Sequence, residues 1–142
     1  MIFRCRDGVL FFFFHPTFIV HFSEMNKVEL ENRLIDFSVM AHQICCKVNK
    51  SDLGKYLSQQ LIRSAISPAL NYGEAQGAES QKDFIHKLRI SLKELRESHI
   101  SLRIVKRTDL YTSVDILDKA IDECNQLISI FVSSIKTAQK SI

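Results

Sequence analysis

Apolar residues in the last third of the chain recur at steps of three and four: Val114, Leu117, Ile121, Cys124, Ile128, Phe131, Ile135 and Ala138. That alternation sets eight side chains along one seam of a helix, the spacing of bundle and coiled-coil packing, and it is incompatible with the two-residue period of a strand. The same steps return earlier in Leu30, Leu34, Phe37, Ala41, Ile44 and Val48. Only 4 glycines and 2 prolines occur in 142 residues, too few for a turn-rich β fold. The expected fold class is therefore all-α, an antiparallel up-and-down four-helix bundle occupying residues 25–142.

Turn and cap signals divide this region into helices of about 27–49, 52–76, 80–107 and 113–139. Asn49-Lys50-Ser51 supplies the first turn, with Ser51 or Asp52 as cap. Leu53, Leu57, Leu61 and Ser64 then mark the inner face of the second helix. Pro68 falls inside that helix and predicts a bend rather than an end, with the Ser64 and Ser67 hydroxyls placed to take up freed backbone groups. After Gly77-Ala78-Glu79, Ser80 with Asp83 three residues on resembles a capping box, followed by a core face of Phe84, Leu88, Leu95 and Leu102. Thr108-Asp109 opens the last connector, and Thr112 or Ser113 is the expected cap of the fourth helix.

Residues 1–24 lack this pattern. The run Val9 to Phe22, VLFFFFHPTFIVHF, is interrupted by His15-Pro16 and is shorter than the roughly 20 residues that span a bilayer. Arg4 and Arg6 precede it as in a signal peptide, yet no small-x-small cleavage site follows. The reading adopted is an extension outside the domain, with Met25 as the natural start.

Cys5, Cys45, Cys46 and Cys124 show no CxxC spacing, which speaks against a zinc site or a disulfide framework and for a reduced, cytoplasmic protein; no cofactor and no membrane partner are expected. Catalysis is not expected. None of His15, His21, His42, His86 and His99 stands in a nucleophile motif, no Gly-rich phosphate loop is present, and the Glu-x-x-His pairs of a di-iron bundle are missing. Glu74 and Asp83 read as members of an ion network rather than as a catalytic pair.

Three helices carry a second apolar stripe: Ile35, Val39 and Cys46 on the first, Ile62, Ile66 and Leu70 on the second, and Ile116, Ala120, Leu127 and Ile130 on the fourth. That is more apolar surface than a monomeric bundle buries, and it predicts a homo-oligomer. On the second helix, Gln60, Arg63, Ser64, Ser67, Asn71 and Glu74 form a polar stripe that must find partners, because an unpaired buried polar group costs roughly 1–3 kcal/mol. Asp83 and Lys87 at the start of the third helix, or a neighbouring protomer, are the expected ones.

The blocks Gln60-Leu61-x-Arg63-Ser64-x-x-Ser67-x-x-x-Asn71-x-x-Glu74-Ala75, Gly77-Ala78-Glu79-Ser80, Asp83-Phe84-x-x-Lys87 and Lys93-Glu94-x-x-Glu97 resemble the bacterial four-helix-bundle proteins encoded in intervening sequences of 23S rRNA genes. The resemblance runs from about Lys27 to the C-terminus. It implies a homopentameric ring without catalytic residues. A related branch is similar to accessory proteins of diversity-generating retroelements, which implies nucleic acid and a reverse transcriptase as partners. Pro68 and Ile100-Ser101 depart from the usual pattern, at positions where packing is therefore in question.

On a helical wheel, Lys82, Arg89, Lys93, Arg96, Arg103 and Arg107 share one side of the third helix with His86. Asp83, Glu94 and Glu97 flank them. Between Lys82 and Arg107, eight Lys and Arg against three acids give +5, more than the +3 of the whole chain, so the positive charge is concentrated here. Such a stripe attracts phosphate backbone without reading sequence. Lacking base-stacking aromatics, it suits structured RNA or duplex DNA better than single strands. The competing reading is a protein-interaction scaffold whose charged face is merely solvated.

Overall fold

The computed structural model describes residues 26–140, which form four helices: α1 (Lys27–Lys47), α2 (Asp52–Gln76), α3 (Gln81–Arg107) and α4 (Val114–Lys140). The extension at residues 1–24 and the proposed start at Met25 lie outside the described residues. Each of the first three helices opens on a side-chain cap: Asn26 accepts from the Glu29 N–H (2.9 Å), Ser51 from Gly54 (3.2 Å) and Ser80 from Asp83 (3.1 Å). Before α4, Ser113 contributes its carbonyl to the Leu117 N–H. Neither Thr112 nor Ser113 makes the side-chain cap expected of it.

α1 packs on α2 and α4, and α3 packs on the same two helices, so every helix has two neighbours and contributes to one core. Leu34, Phe37, Ala41 and Ile44 of α1 meet Leu57, Leu61 and Ala65 of α2, Leu88, Leu95 and Leu102 of α3, and Leu117, Cys124, Leu127 and Phe131 of α4. Tyr72 sets its ring edge-on to Phe131, with centroids 5.9 Å apart. The connectors are tied together as well, since the Asn49 N–H donates to the Leu110 carbonyl. Asp109 beside it adopts φ 51°, a left-handed conformation that Asp tolerates better than most residues.

Three expectations about the core need correction. Leu53 and Val114, assigned to inner faces, are 45% and 50% exposed, because each stands in the first turn of its helix, where the bundle no longer covers it. On α3 the buried side chain is Ile85, with Phe84 half-buried against the core from one side. On α4 the second stripe is core: Ala120, Leu127 and Ile130 are buried and Ile116 half-buried, while Ile121 and Ile128 of the first seam lie at the margin. α4 thus presents one wide face, flanked by α1 and α3.

Pro68 is buried and α2 runs on through it to Gln76. The nearby hydroxyls do not serve it as expected. Ser64 donates to the Leu61 carbonyl and Ser67 accepts from the Asn71 amide, so neither turns to the Ser64 carbonyl that a proline at this position leaves without its helical donor.

Candidate nucleic-acid interface

The side of α3 that faces solvent is fixed by the side that does not. Leu88, Leu95 and Leu102 point into the core at seven-residue steps, and Ser91 and Ser98, also seven apart, are fully buried against α2. Small residues at those positions let α2 and α3 lie close. The Ser98 hydroxyl donates to Ser64 Oγ (2.8 Å) and Ser91 donates to the Pro68 carbonyl (3.3 Å). This serine seam was missed in the sequence, although its heptad spacing is legible there.

Turned away from the seam, Lys82, Arg89, Lys93, Arg96, Arg103 and Arg107 are all exposed, together with His86. The two remaining cations of α3 are the two with ion-pair partners. Lys87 bonds Glu74 of α2, which holds its ammonium above the ordinary range, and Lys106 pairs with Asp118 of α4. Glu97 is drawn away from the stripe by Arg63 of α2 (3.5 Å). The six outward cations therefore make no ion pair among the described residues, and their charge is presented to solvent. Ile100 and Ile104 interrupt the row with exposed apolar side chains. Within the row's second half, His99 is half-buried; burial and the adjacent Arg103 lower its pKa from the usual 6.5.

The polar stripe of α2 is satisfied mostly across this same α2–α3 contact. Arg63 holds both Gln60 and Glu97, Ser64 receives Ser98, and Glu74 receives Lys87. Asn71 closes on Ser67 within α2. Asp83 contributes through its backbone cap and through its charge near Lys87. A second polar cluster, on which sequence reasoning was silent, joins α1 to α4, where Arg33 grips Glu123 at 2.8 Å through two nitrogens and also reaches Gln126.

Cys45 and Cys124 are buried free thiols and Cys46 an exposed one. Burial, with Glu123 adding to it, pushes Cys124 up to about 12. Among the described residues no group of three or more His, Cys, Asp or Glu is placed to hold a metal ion, and no helix is long and apolar enough to cross a membrane.

Four helices around one core, joined by short connectors, define a four-helix-bundle protein. The chain belongs to the 23S rRNA-intervening sequence protein family, whose pattern it matches over residues 26–133. It is similar to a crystal structure, at 1.70 Å, of a protein of unknown function from the S23 ribosomal protein family of Bacteroides thetaiotaomicron VPI-5482. The two share 27% identity and a TM-score of 0.69, over 75% of this chain and 98% of that one. No curated protein sequence matched the chain.

Proposed function

We propose that this chain is a non-enzymatic, cytoplasmic homo-oligomer of antiparallel helices that binds the phosphate backbone of structured RNA or duplex DNA through the outer side of α3. The observation that carries this reading is the distribution of charge on α3: neighbouring helices engage Glu97 and two of its cations, Lys87 and Lys106, and six cations remain without an ion pair on one exposed side, against the two further acids Asp83 and Glu94. Unpaired surface cations gain from phosphate by releasing its condensed counterions. The exposed apolar residues of α1 and α2, namely Ile35, Val39, Ile66 and Leu70, support self-association, and a ring of copies, a pentamer by family resemblance, would repeat the basic side around it.

Charge reversal tests the proposal. Arg89→Glu, Lys93→Glu and Arg96→Glu together leave the core and the ion pairs of Lys87 and Lys106 intact. Binding to an RNA hairpin and to a DNA duplex is expected to fall by about a hundredfold or more, given that each phosphate contact adds to the electrostatic term. Equal binding by the parent and the triple variant would leave the scaffold reading, in which the partner, a reverse transcriptase among the possibilities, is a protein.

A further inference from the structure

At the end of the bundle where α3 begins and α4 finishes, Ser80, Lys82, Asp83, Ile85, His86, Arg89 and Gln139 line a cavity of about 510 Å³. The Gln81 side chain donates to the Ala138 carbonyl and fixes the two helix ends together beside it. Three of its walls are basic or titratable side chains one and two turns apart on the same side of α3. Lys82 and Arg89 have no carboxylate partner among the described residues. The one acid present, Asp83, interacts with Lys87, which the Glu74 carboxylate also holds. What the cavity presents is an ammonium, a guanidinium, an imidazole and an amide, all able to donate to oxygen, against the single carboxylate of Asp83, with Ser80 engaged in capping α3.

We propose that this cavity is a binding site for a phosphate group, held by Lys82, His86 and Arg89 with Gln139 at its edge. The inference rests on the nucleic-acid reading of α3 and sharpens it, because it picks out the end of the basic row where Lys82, His86 and Arg89 line one open cavity. A guanidinium offers two parallel N–H groups to two phosphate oxygens, and Lys82 and His86 line the same cavity as further donors. The start of α3 adds the positive end of a helix dipole to that set. The same chemistry serves a backbone phosphodiester, the terminal phosphate of a strand and free inorganic phosphate.

The experiment uses the full chain and three probes. Inorganic phosphate is titrated at constant ionic strength against chloride while the His86 ring resonances are followed by NMR. The hairpin RNA is then measured with a 5′-phosphate and with a 5′-hydroxyl. A saturable shift of His86 with phosphate and not with chloride is expected, weakened about tenfold, or 1.4 kcal/mol, in Lys82→Ala and in Arg89→Ala and unchanged in Arg103→Ala at the far end of the row. Preference for the 5′-phosphorylated hairpin identifies a strand end as the source, and equal affinity for the two hairpins, lowered more by Arg89→Ala than by Arg103→Ala, identifies the backbone. If phosphate moves His86 no more than chloride does, the site does not exist. Should RNA bind, with Arg89→Ala and Arg103→Ala weakening it equally, the pocket is refuted while nucleic-acid binding by α3 stands. Saturable phosphate binding without RNA binding reverses that outcome.

Discussion

His99 and the three described cysteines show how burial sets chemistry residue by residue. Because the folded-state pKa of His99 lies below the usual 6.5, the unfolded chain binds the proton more tightly than the folded one. Stability therefore rises with pH across this window and is lost on acidification from about 6.5 to below the lowered folded value. Denaturant melts of the parent and of His99→Gln from pH 7.5 to 5 are expected to converge toward neutrality and to separate on acidification, with the parent losing more. Parallel curves would contradict the assignment. For the thiols, Cys46 is exposed beside His42 (Sγ to Nε2 3.6 Å), whereas Cys124 is fully buried, donates to the Leu95 carbonyl and is pushed up to about 12. Alkylation of the native protein at pH 8 followed by peptide mapping is expected, among these three thiols, to label Cys46 first and Cys124 only on unfolding.

Among the elements, the contact of α2 with α3 is the most informative. Ser91 and Ser98 are small because two helix backbones approach there, so Ser98→Leu is expected to destabilise by about 1–3 kcal/mol through overpacking, read as a lower denaturant midpoint. Gly54 is constrained in the same way at the α1–α2 turn, where an added Cβ would stand 1.8 Å from the Asn49 carbonyl oxygen. Gly54→Ala forces that turn to move and is expected to cost a similar amount. Four helices and most of their ends were legible in the sequence, since three- and four-residue spacing and serine caps are local signals. The Gly54 approach was not legible, because it depends on where the chain returns after Lys47. Exposure was misjudged at Leu53 and Val114 because periodicity gives the direction of a side chain, not whether the bundle extends far enough to cover it. On α4, two interleaved stripes looked like two surfaces because the sequence does not show how wide a face the neighbouring helices cover. The cations of α3 were legible as a row, and Lys87 as a partner of the α2 polar stripe, but the pairing of Lys106 with Asp118 of α4 and of Glu97 with Arg63 of α2 needed the packing to be seen.

At the scale of the whole molecule, exposed apolar residues on α1 and α2 accompany a basic side on α3. Ile66→Asp with Leu70→Asp changes two exposed positions without entering the core, and light scattering is expected to move from an oligomer to a monomer while the helical circular dichroism is retained. A parent protein already monomeric would remove self-association from the account. The central claim, that α3 engages phosphate backbone, is tested most directly by the salt dependence of binding. Fluorescence anisotropy of a labelled DNA duplex, measured from 50 to 200 mM NaCl, is expected to give a slope of about −4 to −5 in log K against log salt when most of the six cations of one copy meet phosphates. The charge-reversed triple variant is expected to flatten that slope toward zero. Binding that is absent, or that holds constant across the same range of salt in the parent protein, would contradict it.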